Sequence, residues 1–492
     1  MNSNFEMPPK KLAFLTYLGG VVTAVAAIAG LEMLSGNLSQ KKSTKDSAPT
    51  TTATAPSSTT SAPDKTKPKA KHEKPDSRSI KFPGDRVSQS EIAKTTTPYV
   101  PAHVGKLSPA ELKVAKQAWS YFETNINPET GLANSVDQFQ SVTLWDQSAA
   151  MAALVSAREL DLVSEKEFKA TMSKMLTTLA KLELYKGELP NKVYNSQNLM
   201  PVNYGSLDKR EEIGWSAIDL GRIALWLKII AAKYPEFEPQ TTAVWKAWDV
   251  KRLTKGGQMY GTSIKDGQEQ YNQEGRLGYE DYAAYGLKLW GLNVDKALDY
   301  NNKSAFVELY GHSIPFDVRD RENSEANNYV LSEPFFLDGI ETGFKALPKA
   351  YADRMLAAQE ARYKATKQLT AITEDNLDRE PYFVYNTLYV NGKPWATISD
   401  TGENYNHLRF VSTKAAIGWH VLYNTDYTKK LFAFVQEKVG SKKGWYSGFY
   451  ETLDEPNAVL TANNNGIILE CLLFKKVGKP LAVWAGVSEL GT

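Results

Sequence analysis

Carboxylates that stand beside aromatic rings recur along this 492-residue chain, and they are the residues best suited to chemistry. They are Trp145-Asp146, Trp215 with Asp219, Tyr279-Glu280-Asp281-Tyr282, Ser332-Glu333-Pro334-Phe335-Phe336, Asp338 with Glu341, and the Trp445 to Glu451 segment. Cleaving a glycosidic bond takes two carboxyls across it, one protonated and one ionised. Apolar ring walls keep one carboxyl protonated near neutral pH, and the same rings stack on the C–H faces of sugars. Each piece also has a plainer reading. Asp146 in the first turn of a helix is favoured by the helix dipole. Asp219 and Arg222, three apart, could form an ion pair, and Asn191 in Glu188-Leu189-Pro190-Asn191 could only close a turn. Glu470 sits inside an apolar helix and reads as structural.

The elements that must position these residues are mostly helices. Ile213, Ala217, Leu220 and Ala224 recur at helical spacing, which predicts a helix that projects Trp215, Asp219 and Arg222 from one face. Ser108-Pro109-Ala110-Glu111 carries a capping box and a proline at the first helical position, so the folded region opens sharply there. Further helices are predicted from Leu144, from Ser164 to Leu182, and over 215–234, 239–249, 278–290, 338–368, 412–423, 426–439 and 461–476. Glu333 precedes Pro334 and reads as extended backbone. Tyr382–Tyr389 and Pro394–Ile398 flank Asn391-Gly392, a strong hairpin turn. The pattern predicts a mainly α domain over 105–492, an α/α toroid of antiparallel helical hairpins with a small β-hairpin insertion.

Composition narrows the function classes. Residues 1–105 hold 14 Lys and Arg against 8 Asp and Glu, a net of +6, so the total of +2 leaves −4 on the remainder. A mildly acidic globular part argues against nucleic acid as partner. The single Cys471 rules out an intrachain disulfide, and the five histidines lack ligand spacing, so no metal site is expected. No phosphate-cradling loop or serine-nucleophile elbow is present, and no cofactor is expected. Lys10 and Lys11 precede the uncharged run Leu12–Leu31, which is long enough to span a bilayer. Residues 1–34 therefore read as a cytoplasmic stub and a signal anchor; a cleavable signal ending near Ala27-Ile28-Ala29 is the alternative. Residues 35–104 are a Ser/Thr/Pro/Lys-rich linker expected to be disordered, with no aromatic from Ser35 to Ile80. The globular domain would then lie in the periplasm, tethered to the inner membrane.

Leu144-Trp145-Asp146, Leu189-Pro190-Asn191-Lys192, Gly214-Trp215-Ser216-Ala217-Ile218-Asp219-Leu220-Gly221-Arg222 and Gly275-Arg276-Leu277-Gly278-Tyr279-Glu280 follow one another in order. Ser412-Thr413-Lys414-Ala415-Ala416, Gly444-Trp445-Tyr446-Ser447-Gly448 and Thr461-Ala462-Asn463-Asn464-Asn465 complete the series. Across about 105–480 the chain resembles the bacterial domain-of-unknown-function family 3131. More distantly it is similar to the glycoamylase-like domains of β-1,2-glucanases and cyclic β-glucan synthases, which are α/α toroids. That second resemblance implies Asp219, Glu280, Glu333 and Glu451 as cleft residues. It departs at Gly275-Arg276-Leu277-Gly278, where the paired Trp/Gly motif is missing.

The resulting expectation is a glycoside hydrolase or transglycosylase acting on β-linked glucan or exopolysaccharide. Glu280 is expected as general acid, with Asp219 or Glu333 as base or nucleophile. Asp146, Asn191, Arg222 and Glu451 would hold hydroxyls, and Trp145, Trp215, Tyr279, Trp445 and Tyr446 would line the sugar platform. The alternative is a noncatalytic glycan-binding or scaffold component of an envelope polysaccharide synthesis machinery.

Overall fold

The computed structural model describes residues 105–301 and 303–487. The expected membrane span and linker lie outside the described residues. Among those described, no helix is long and apolar enough to cross a membrane.

Helices begin where capping side chains stand. Ser108 and Glu111 exchange their reciprocal hydrogen bonds at the start of α1 (Pro109–Asn125), and Ser164 with Glu167 do the same for α3 (Glu165–Leu179). Thr143 caps α2 (Leu144–Glu159) and Ser216 caps α4 (Ala217–Lys233). The chain continues through α5 (Glu238–Lys246), α6 (Tyr279–Lys288), the short α7 (Arg321–Ser324) and α8 (Glu333–Leu337). It ends with α9 (Ala346–Thr366), α10 (Thr413–Tyr423), α11 (Asp426–Lys438), α12 (Ala462–Val477) and α13 (Leu481–Ala485).

Six of these helices form a closed cycle. α2 packs on α4, α4 on α6, α6 on α8, α8 on α10, α10 on α12, and α12 returns to α2. Their burial explains the arrangement: every residue of α10, and every residue of α2 from Leu144 to Ala157, is buried. A helix without a polar face belongs in the interior. α1, α3, α5, α9 and α11 pack against the cycle. Of these, α3 buries only the stripe Phe168, Met172, Met175, Leu176 and Leu179.

The α4–α6 crossing depends on two glycines. A Cβ on Gly221 would lie 2.5 Å from the Ala283 carbonyl oxygen, and one on Gly286 would lie 2.0 Å from the carbonyl oxygen of Gly221.

Four sequence expectations need correction. Trp215 lies before α4, ahead of the Ser216 cap, so it does not share a helical face with Asp219. The expected helix over 338–368 is two elements: α8 runs into a π-turn at Asp338–Thr342, and left-handed Gly343 (φ +80) breaks the path before α9. Glu333 accordingly opens a helix and is not on extended backbone. The small β insertion is one of several small sheets. Its hairpin is present, pairing Tyr385 with Ile398 and Val390 with Lys393 around left-handed Asn391 and Gly392. The hairpins β1 (Gln258–Lys265) with β2 (Gln268–Gln273), and β3 (Ser304–Leu309) with β4 (His312–Asp317), were not expected. β2 reads Gln-Glu-Gln-Tyr-Asn-Gln and offers no apolar alternation to detect.

Gly286→Ala should lower the melting temperature, with a loss of about 1–3 kcal/mol from backbone overpacking. Thermal unfolding followed by circular dichroism checks it, and an unchanged melt would contradict the close crossing.

Candidate functional site

Each helix of the closed cycle brings a polar side chain in its first turn. They are Asp146 on α2, Asp219 on α4, Glu280 on α6, Glu333 on α8, Lys414 on α10 and Asn463 on α12. The placement follows from capping: a Ser or Thr precedes four of these helices and accepts a first-turn N–H. The next residues can then face the end of the bundle.

Hydrogen bonds join most of these ends. Trp145 Nε1 lies 3.2 Å from Glu333 Oε1 and 3.1 Å from Asn463 Oδ1. Asn463 donates from Nδ2 to Glu333 Oε1 at 3.0 Å, and from its backbone N–H to Asp146 Oδ1 at 3.2 Å. Lys414 Nζ pairs with Glu333 Oε2 at 2.5 Å and with Asp375 Oδ2 at 3.5 Å. Arg222 donates to Asn463 Oδ1 and to Glu470 Oε1, each at 2.9 Å.

Two neighbouring carboxyls differ in their environment. Burial pushes Glu374 up to about 8, and its oxygens accept from the hydroxyls of Tyr279 and of Thr373. Burial also raises Asp375 to about 6, opposed by Lys414. Thr373 Oγ1 in turn accepts the Glu333 backbone N–H at 3.2 Å, so Glu374 and Glu333 share one support. One carboxyl is thus pushed toward its acid form by burial, and another on the same support is paired with a cation.

The expected residues occupy these positions unevenly. Glu280 accepts from Gln273 at 2.9 Å, from Lys303 at 3.0 Å and from Arg319 at 2.7 Å. Gln273 on one carboxyl oxygen and Lys303 with Arg319 on the other leave the expected general-acid role without support from the geometry. Asp219 stands the other way: burial, with Glu274 and Asp146 nearby, drives its carboxyl well above the usual range, which disfavours a base. The Asp219–Arg222 ion pair does not form, because Arg222 pairs with Glu470 and, at 3.6 Å, with Glu341. Asn191 spends its side chain on the Val193 and Val202 carbonyls and the Ile213 N–H, and is structural. Glu451 is held by both terminal nitrogens of Arg362 at 2.9 Å, which removes it as a hydroxyl ligand.

The stacking platforms also fail. Trp145 is 1% exposed, with the Arg222 guanidinium 4.6 Å from its ring centroid and Tyr279 edge-on. Trp215 is fully buried among Tyr185, Tyr271 and Arg252. Trp445 donates to the Val114 carbonyl inside the core. Tyr446 is half-buried, and its backbone carbonyl accepts from Thr413.

Sequence reasoning missed Glu374, Asp375, Glu274 and Lys192 as site residues. Glu374 and Asp375 lie between two predicted elements with no aromatic beside them. Glu274 abuts the glycine motif at 275–278, which was the one available signal. Lys414 and Asn463 stood inside quoted motifs but carried no role.

Glu374 has a folded pKa near 8 against an ordinary carboxyl value of 4.5. The folded state therefore holds more protons between those values, and stability must fall as pH rises through that window. Glu374→Gln should flatten the fall in melting temperature from pH 5 to pH 8 relative to the unsubstituted protein. Parallel curves would show that Glu374 does not titrate in this range.

Comparison with solved structures places the fold. A glucoamylase-like protein from Bacteroides caccae superposes with TM-score 0.55 at 14% identity, over 78% of this chain and 98% of that one. A second from Bacteroides fragilis gives 0.54 at 15% identity, over 80% and 99%. An endo-β-1,2-glucanase from Chitinophaga pinensis, in complex with sophorotriose and glucose, gives 0.54 at 14%, over 78% and 98%. At such identities the likeness speaks for a shared, mainly helical, glucoamylase-like fold. A comparison with curated proteins returns no sequence match. The family model of a protein of unknown function, DUF3131, matches residues 113–478, and the chain belongs to that family.

Proposed function

We propose that this protein is a carbohydrate-active enzyme of the glycoside hydrolase or transglycosylase class, acting on a β-linked glucan or exopolysaccharide. The fold is read as an α/α toroid whose helix N-termini carry the reacting groups. The observation that carries the proposal is the opposed pair on one support: Glu374 retained as an acid, and Glu333 paired with Lys414. A carboxyl raised by burial near a second carboxyl paired with a cation fits the two-carboxyl pattern of glycoside chemistry.

In this reading Glu374 protonates the leaving oxygen. Glu333 serves as base or nucleophile, with Lys414, Trp145 and Asn463 fixing its orientation. Glu280 is held at the α6 end by Lys303 and Arg319 and orients that end of the site. The two principal carboxyls are at most 2% exposed, so the chain segments over them must move for a saccharide to enter. The N-terminal reading goes with this proposal: an inner-membrane anchor and a linker would present the domain in the periplasm.

A second reading is favoured by the saturation of Glu280 and Glu451 with cations. It makes the protein a noncatalytic glycan-binding component of an envelope polysaccharide system.

Reducing-end release from a panel of β-glucans, including β-1,2-glucan, separates the two. The enzyme reading expects activity from the natural sequence and a loss of about 10²–10⁴-fold in kcat for Glu374→Gln. Binding without release, from any glycan tested, would favour the second reading.

A further inference from the structure

One group of charged side chains has no role in the acid–base pair described above. Lys192, Glu274 and Asp219 come from three separate segments and are 2%, 5% and 2% exposed. The Lys192 backbone N–H is fixed to the Gly214 carbonyl at 2.8 Å. The Glu274 backbone N–H is fixed to the Met259 carbonyl at 3.0 Å, and its Oε2 accepts the Ala217 N–H at the start of α4 at 2.5 Å. Asp219 is set two residues further along the same turn, its backbone N–H capped by Ser216 Oγ at 3.1 Å. Glycine at 261 leaves room for the Glu274 carboxylate, since a Cβ there would lie 2.3 Å from Glu274 Oε2.

The backbones are thus held, yet the facing side-chain atoms are unsatisfied. Lys192 Nζ, Glu274 Oε1 and Asp219 Oδ1 have no hydrogen-bond partner. Lys192 lies within electrostatic reach of both carboxylates, but no nitrogen–oxygen contact of 4.0 Å or less joins them. A buried ammonium and two buried carboxyl oxygens left this way are costly to the fold. The cost shows in their titration: burial lowers Lys192 to about 8 and raises Glu274 to about 7. A group that both accepts and donates can satisfy an ammonium and a carboxyl oxygen together, and a hydroxyl does both.

We propose that Lys192, Glu274 and Asp219 form a subsite for a saccharide hydroxyl. Lys192 Nζ donates to the sugar oxygen, and Glu274 Oε1 or Asp219 Oδ1 accepts its proton in a hydrogen bond. The proposal rests on the carbohydrate reading and deepens it, because Lys192 and Glu274 become ligands of substrate. A bound water offers the same hydroxyl chemistry, so the test must separate the two.

Calorimetric binding of β-glucan oligosaccharides, sophorotriose among them, is measured on the full chain, on Lys192→Met and on Glu274→Gln. Melting temperatures are measured alongside. Lys192→Met removes an unpaired buried cation and should hold or raise the melting temperature while weakening binding by about tenfold or more. A merely structural lysine would move stability and leave binding alone. Unchanged affinity in both variants would overturn the subsite while leaving the carbohydrate reading in place. No binding of any oligosaccharide by the natural sequence would overturn both. Should the variants fail to fold, a crystal structure of the natural protein with the tightest-binding oligosaccharide decides. A sugar hydroxyl within hydrogen-bond distance of Lys192 Nζ supports the subsite, and a lone water there, with the sugar elsewhere, overturns it.

Discussion

The guanidinium of Arg222 is the interaction on which the closed cycle of helices depends. It is fully buried, rises from α4, and reaches Asn463 and Glu470 on α12, Glu341 in the turn after α8, and the ring of Trp145 on α2. A buried cation is tolerable only when its surroundings neutralise it and satisfy its donors. Here the neutralisation is spread over several helices, so each must hold its place for the charge to be compensated. Burial drives Glu470 well above the usual carboxyl range even with Arg222 beside it, while Glu341 also takes the Trp226 N–H at 3.0 Å and the Tyr282 hydroxyl. The centre of the cycle is therefore polar and directional, where apolar packing alone would allow helices to slip.

That polar centre prepares the site above it. Asn463 joins the two, accepting from Arg222 and Trp145 on one side while donating to Glu333 and Asp146 on the other. Each of its side-chain groups is used, which fixes its amide orientation and with it the carboxylate of Glu333. Lys414 supplies the compensating charge from α10, and Asp375 and Glu374 supply acids from the segment before the β insertion. First-turn residues suit this work because capping fixes their backbone and little of the helix has to bend to aim them.

The same geometry explains why the aromatic residues do not form a sugar platform. Trp145, Trp215 and Trp445 are buried; an arginine lies over the ring of each of the first two, and Trp445 donates to the Val114 carbonyl. An aromatic beside a carboxylate in sequence fits equally well the packing that desolvates the acid. The bundle uses the rings in that second way around Glu333 and Glu374, with Tyr279 contributing its hydroxyl as well.

Much of the helical pattern was legible in the chain because its signals are local. Ser108 with Glu111, Ser164 with Glu167, and Asn391-Gly392 act within a few residues, and the structure has the expected element at each. The motifs that begin at Leu144, Ser412 and Thr461 likewise mark helix starts. Which charged groups meet is not local. Arg222 pairs with Glu470 and not with Asp219, three residues away, because Glu470 on α12 reaches it across the interior only once the cycle closes. Glu280 is paired with two cations from other segments, and burial that no neighbouring residue announces raises the Glu374 carboxyl. Sequence spacing thus determined where the helices begin and which side chains stand in their first turns. Desolvation and long-range charge pairing, which exist only after the chain has closed, decided which of those side chains are buried toward the acid form, which are paired with cations and which are packing.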